Sequence, residues 1–165
     1  MGLSPPRYPR LLAIAACLTV LALGLDQGSK AWILNILAEP PHHLPVFSLL
    51  SFDLVWNHGV TFGLFADTDF SLALVWCLLA TGMIAYLISY LWRAEHWLTA
   101  AAAGMIIGGA IGNVIDRLRF GAVVDFIHVA YYPWVFNIAD CAVVVGVGIL
   151  IWDPRKKPQT IDPAN

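Results

Sequence analysis

Four aspartates, Asp26, Asp116, Asp125 and Asp140, are the residues of this chain best placed to do chemistry. Each lies in or beside a strongly apolar stretch, where an ionisable side chain is costly and marks a functional position by default. Two carboxyl groups brought together at a partly dry site have a specific use. Like charges a few Å apart do not both ionise easily, so one group stays protonated while the other acts as a base. The ionised member can take a proton from water attacking a peptide carbonyl, while the protonated one donates to the carbonyl oxygen. Such a pair titrates as a unit. Other machinery is absent from the sequence. The five histidines (42, 43, 58, 96 and 128) lack a metal-ligand pattern such as H-E-x-x-H, and there is no G-x-S-x-G elbow. Cys17, Cys77 and Cys141 show no C-x-x-C spacing and sit in apolar runs, so they imply neither a disulfide framework nor a zinc site. No metal or cofactor is expected.

The elements that must position these acids are membrane helices. Of 165 residues, 59% are hydrophobic and 12% charged, half the charge of an ordinary soluble domain (about 25%). A span needs about 20 mostly apolar residues. Four candidates follow, at about 11–32, 70–92, 97–116 and 135–152. Trp92, Trp97, Trp134 and Trp152 stand near their ends, at the depth aromatic rings prefer. Arg7, Arg10, Arg93, Arg155, Lys156 and Lys157 all fall on one side if both termini are cytoplasmic. With that orientation all four aspartates converge near the outer interface. The formal net charge of −2 argues against a nucleic-acid partner.

The expected fold is an all-α membrane protein, a four-transmembrane-helix bundle with a small extracytoplasmic β-sheet element. Residues 1–152 form one domain, and 153–165 form a polar cytoplasmic tail. The β element is placed at about 43–66, in a segment rich in β-branched and aromatic residues around the turn-like Asn57-His58-Gly59. Residues 117–134 form a second outer segment. Gly104, Gly108 and Gly112, spaced by four, give the third span a face that another helix can approach closely. Arg7, Arg10 and Ile14-Ala15-Ala16-Cys17 imitate a cleavable lipoprotein signal, but the apolar run continues past Cys17 and three more spans follow.

Each acid also has a purely structural reading. Asp26 and Lys30 share a helix face at i, i+4 and can pair. Asp116 adjoins Arg117. Asn137 and Asp140 have the spacing of a capping box, with Asp where Glu or Gln is usual. Asp125, in Val123-Val124-Asp125-Phe126-Ile127, is either buried for a reason or turned to water. The acids alone fit an aspartic peptidase, a small proton-coupled transporter or a scaffold subunit. Interfacial depth favours the first, because transporters set their carboxylates near the midplane.

Four blocks in order bear a family pattern. Asp26-Gln27-Gly28-Ser29-Lys30 resembles D-Q-x-x-K. Asn57-His58-Gly59-Val60-Thr61-Phe62-Gly63 resembles N-x-G-x-x-F-G. Gly112-Asn113-Val114-Ile115-Asp116-Arg117, followed by Val124-Asp125-Phe126, resembles G-N-x-x-D-R with V-D-F. Phe136-Asn137-Ile138-Ala139-Asp140 resembles F-N-x-A-D. Together, over about residues 11–152, they resemble bacterial lipoprotein signal peptidase (signal peptidase II). The resemblance implies a catalytic dyad of Asp125 and Asp140. It implies Asn113, Arg117 and Asn137 as substrate-binding or dyad-holding groups, and Asp26, Lys30, Asn57, Gly59 and Asp116 as supports. The implied substrate is a diacylglyceryl-modified prolipoprotein, cut before its lipidated cysteine. The implied enzyme is a monomer among the lipids of the bacterial cytoplasmic (inner) membrane, with its site at the extracytoplasmic face and globomycin as an expected inhibitor. Val60, Thr61 and Cys141 depart from the pattern by being bulkier or different in kind, and the interval between Asp125 and Asp140 is short.

Overall fold

A computed structural model describes residues 8–59 and 69–152. Four helices, α1 (Pro9–Leu37), α2 (Asp69–Leu91), α3 (Trp97–Phe120) and α4 (Ile138–Trp152), carry one small sheet of β1 (His43–Phe47), β2 (Leu50–Asn57), β3 (Val123–Val129) and β4 (Val135–Phe136). Helices α1 and α3 are long and apolar enough to cross a membrane, as is the Ala73–Leu91 part of α2. Helix α4 is equally apolar but has 15 residues, about 22 Å at 1.5 Å per residue. Large apolar side chains such as Val20, Leu78, Leu79, Val144 and Ile151 point outward, as a helix surrounded by lipid tails permits.

Helix α3 is central, packed on α1, α2 and α4. Its glycines make this possible. A Cβ at Gly104 would lie 2.4 Å from the Ala15 carbonyl oxygen, and one at Gly108 would lie 2.5 Å from that of Thr19. One at Gly109 would lie 2.5 Å from the Ala139 carbonyl oxygen on α4. The Thr19 hydroxyl donates to the Gly104 carbonyl at 3.0 Å, a bond available only at this close approach. At its far end α3 stops at Gly121, whose φ of 73° and N–H to the Arg117 carbonyl (3.0 Å) form a left-handed helix cap.

The sheet is antiparallel in the order β1-β2-β3-β4. It is seated on the end of α1, where Ile33 and Leu37 pack against Phe126 of β3, with Phe52 and Leu54 of β2 at the margin. Two expectations change here. Helix α3 runs on to Phe120, past the expected end of the third span. The second outer segment is a sheet strand over Val123–Val129, and it carries Asp125. Residues 60–66 of the expected β element and the 153–165 tail lie outside the described residues.

Asp53 on β2 ties three strands together. It accepts from His43 Nδ1 of β1 and from His128 Nδ1 of β3, both at 2.5 Å. Partial burial opposes its charge, but the two histidine hydrogen bonds outweigh that and hold its pKa below the usual carboxylate value. A carboxylate whose pKa is depressed by folding contributes stability above its unfolded pKa, and this is lost as pH falls through the folded one. Asp53→Ala is therefore expected to speed amide exchange in β1 and β2 at neutral pH, with the difference from wild type shrinking in acid.

Candidate functional site

Asp26, Lys30, Asn57, Asn113, Asp116, Asp125, Asn137 and Asp140 from the four sequence blocks meet where α1, α3 and α4 face the sheet. Asp26, Lys30, Asp116, Asp125 and Asn137 are all buried, although Lys, Asp and Asn are ordinarily surface residues. Charges survive such burial only when paired and hydrogen-bonded. Lys30 Nζ lies 2.8 Å from Asp26 Oδ2 and 2.8 Å from Asp116 Oδ2, and donates to Asn113 Oδ1 at 3.0 Å. Thus Lys30 bridges α1 to α3. The neighbouring Arg117 does not pair with Asp116; its Nη1 donates to the Asn113 carbonyl at 3.3 Å, and its guanidinium lies 5.9 Å from the Trp76 ring centre. Asp26 Oδ1 accepts the N–H of Ala139 at 2.9 Å, at the start of α4. Asp116 Oδ2 accepts the N–H of Val124 at 3.1 Å, at the start of β3. The two charged supports thereby position the two elements that carry Asp140 and Asp125.

Asn137 and Asp140 form the capping box. Asn137 Oδ1 accepts the Asp140 N–H (2.9 Å), and Asp140 Oδ2 accepts the Asn137 N–H (3.2 Å). The cap does not use up either side chain. Asn137 Nδ2 also donates to Asp125 Oδ1 at 2.6 Å and to Asn113 Oδ1 at 3.2 Å. Asn113 Nδ2 donates to Asp140 Oδ1 at 3.0 Å. From the other side Asn57 Nδ2 donates to Asp125 Oδ2 at 2.8 Å, while Asn57 Oδ1 accepts the Gly59 N–H at 2.8 Å. Asp125 and Asp140 are thus joined through Asn137 and held by amide donors on every oxygen.

Asp125 is 2% exposed, and this burial pushes its pKa up to about 6. The Asn57 and Asn137 donors oppose the rise, and the charge of Asp140 adds to it. An open groove of about 660 Å³ reaches Asp125 between β2, α2, α3 and the β3–β4 turn, lined also by Asn57, Gly59, Trp76, Arg117 and Trp134. Gly59 has φ 78°, and a Cβ there would fall 2.3 Å from the Trp76 indole nitrogen, so only glycine lets the loop close on Trp76.

All ten residues singled out in the sequence lie in this network or along its groove. Sequence reasoning missed two others. Gln27 donates to Asp26 Oδ2, Asp116 Oδ1 and the Gly112 carbonyl at 3.0–3.3 Å. Its position beside Asp26 in the first block was the available signal. Trp76 forms the far wall of the groove, and its only signal was an aromatic ring well inside a span. Among the described residues, no cluster of His, Cys, Asp or Glu could hold a metal ion, and the three cysteines are free.

A bundle of apolar helices in which a buried aspartate at an open groove is joined through one asparagine to a half-buried aspartate has the build of a membrane-embedded hydrolase. The family model described as Signal peptidase (SPase) II matches residues 18–154. The lipoprotein signal peptidase of Caulobacter vibrioides is 42% identical over 146 residues, 85% of each chain. That of Beijerinckia indica is 41% identical over 166 residues, covering 94% of this chain and 95% of the relative. Two solved structures, each titled a bacterial membrane enzyme, share the fold at 23% identity, with TM-scores of 0.72 and 0.76 over 89% and 88% of this chain and 93% and 95% of theirs. The chain belongs to the signal peptidase II family, and it is a membrane peptidase that removes signal peptides from lipoprotein precursors.

Proposed function

We propose that Asp125 and Asp140 are the catalytic dyad of an aspartic endopeptidase that cuts diacylglyceryl-modified prolipoproteins just before the lipidated cysteine. The observation that carries this reading is the junction through Asn137 of a buried aspartate, Asp125, at an open groove with a half-buried one, Asp140. In the reaction one carboxylate takes a proton from a water molecule as it attacks the scissile carbonyl, and the protonated partner donates to the carbonyl oxygen. The amide donors around the pair stabilise the ionised form without supplying a competing base. Arg117 and Trp76 face the groove and bind substrate; Asn113 and Asn137 hold the dyad. Asp26, Lys30 and Asp116 fix the helices under it, and Asn57 with Gly59 sets the groove wall.

Four spans are proposed, α4 being the fourth, with both termini cytoplasmic and the dyad at the extracytoplasmic face of the inner membrane. The lysine and arginine distribution supports this orientation. Acyl chains on the cysteine stay in the bilayer and hold the scissile bond at the interface, the depth at which the start of α4 then lies. Every residue of the site comes from one chain, which supports a monomer as the working unit.

The test is cleavage by purified enzyme in detergent, read as the mass loss of the signal peptide. Modified prolipoprotein is expected to be cut and the unmodified precursor left intact. Equal cleavage of both would refute the lipid requirement. The dyad's last proton also sets a pH limit. With Asp125 raised to about 6, kcat/KM is expected to fall as pH rises through about that value in the free enzyme. The limb in kcat should lie higher, since bound substrate excludes water and disfavours the doubly ionised pair. A kcat/KM flat from pH 5 to 8 would contradict the assignment.

A further inference from the structure

We infer that Lys30, which the groove does not reach, is a positioning residue that sets the sense of the Asn113 amide and so the hydrogen bond Asp140 receives. The inference rests on the dyad reading above. An ammonium group has three protons and accepts nothing. Those of Lys30 face three oxygens, on Asp26, Asp116 and Asn113. The oxygen of the Asn113 amide must therefore point at Lys30, and its nitrogen must point away. Away from Lys30 is Asp140 Oδ1, at 3.0 Å. A flipped amide would set N–H against N–H at Lys30 and oxygen against carboxylate oxygen at Asp140, two repulsive contacts in place of two bonds.

The same oxygen of Asn113 accepts from Asn137 Nδ2, which also donates to Asp125 Oδ1. Asn137 is held in that sense at its other end, where its Oδ1 accepts the Asp140 N–H. Lys30 thus gives direction to Asn113 and the Asp140 N–H gives direction to Asn137, and the two amides deliver a side-chain donor to each aspartate. An Asn side chain can hydrogen-bond equally well in either orientation, and only an asymmetric partner distinguishes the two. Lys30, which can only donate, is such a partner at the oxygen end of Asn113. Its action on the reaction passes through Asn113, with no contact to substrate.

The test is a double-mutant cycle on the full-length enzyme in detergent with diacylglyceryl-modified prolipoprotein. Every member of the cycle carries Asp116→Asn. Lys30→Gln then leaves the same net charge as the wild-type cluster of two carboxylates and one ammonium. Gln at position 30 can offer either end of its amide and no longer dictates orientation. Lys30→Gln is expected to lower kcat about 10- to 100-fold with KM little changed, by analogy with the loss caused by removing a partner that orients a metal ligand. Added to Asn113→Ala, it should lower kcat no further. Losses that multiply would overturn the inference and leave Lys30 a strut between helices, as would an unchanged kcat in Lys30→Gln.

A second variant covers failure of Lys30→Gln to fold. Asn113→Asp keeps an oxygen for Lys30 but turns an oxygen to Asp140, so the alkaline limb of kcat should move to higher pH. An unmoved limb overturns the inference. Wild-type enzyme that cuts nothing would instead overturn the peptidase mechanism on which the inference rests, whereas wild-type cleavage with multiplicative losses overturns the Lys30 inference alone.

Discussion

Asp125→Asn and Asp140→Asn are each expected to lower kcat by roughly 10³-fold or more while leaving the enzyme folded. General acid–base groups contribute about 10²- to 10⁴-fold, and in a dyad the loss of one member removes both roles, since the survivor cannot be acid and base in one step. The survivor's titration also changes. In Asp140→Asn the charge that helps to raise Asp125 is gone, so Asp125 should ionise at lower pH, though its burial still holds it up. The fold is expected to survive for a reason visible at Asp125. An amide there keeps the shape and removes a buried charge, which offsets the one mismatch it creates, an NH2 facing the Asn57 or Asn137 donor. The lost bond costs about 1–3 kcal/mol, and raising a carboxyl from the ordinary range to about 6 corresponds to about 3 kcal/mol of relief. The two roughly cancel. Signal-peptide release measured beside helical content and thermal midpoint separates the cases. Cleavage surviving in Asp140→Asn would remove that residue from the mechanism and point to Asp116 or Asp26.

Much of this site is legible in the sequence because membrane burial makes charge rare. Where few charged residues occur, those in apolar runs stand out, and the positive-inside rule gathers Asp26, Asp116, Asp125 and Asp140 at one end. The capping box is legible for the same local reason: Asn137 and Asp140 are three apart at the start of an apolar run. The structure shows Asn137 making both the cap with Asp140 and the hydrogen bond to Asp125, and the cap leaves Asp140 free to take the proposed chemical role.

Three features were hidden. Strand β3 was missed because Val123–Phe126 is buried throughout, and a short apolar run without alternation looks alike in a strand and a helix. The partner of Asp116 was left open by the sequence. Arg117 is next in sequence, but neighbours on a helix point apart, and Lys30 from α1 takes the place. The direction of the amide network was beyond reach, since a sequence records that residue 113 is asparagine and not which end faces the ammonium.

Gly112→Val is expected to be the most damaging substitution outside the dyad. A Cβ at Gly112 would lie 2.4 Å from Asp26 Oδ2 and 3.1 Å from its Cγ. A neighbour at that distance must move, and Asp26 is poorly able to. Its carboxylate is held at 2.8 Å by Lys30, at 3.1 Å by Gln27 and at 2.9 Å by the Ala139 N–H. Displacing it breaks a buried ion pair and frees the Ala139 N–H at the start of α4, one residue before Asp140 ends the capping box. Overpacking alone costs about 1–3 kcal/mol, and opening a buried pair about 3–5 kcal/mol. Valine adds further branches against the same wall, so loss of the folded protein at ordinary temperatures is the expected outcome. Gly24→Ala and Gly82→Ala are the matching controls, because a Cβ at either meets nothing within 4 Å. Helix propensity alone should then leave them neutral or stabilised by up to about 1 kcal/mol. Thermal midpoints in one detergent decide the matter: a Gly112→Val enzyme as stable as the two controls would mean that Asp26 has room to move, and the close α1–α3 contact would lose its claim to hold the site.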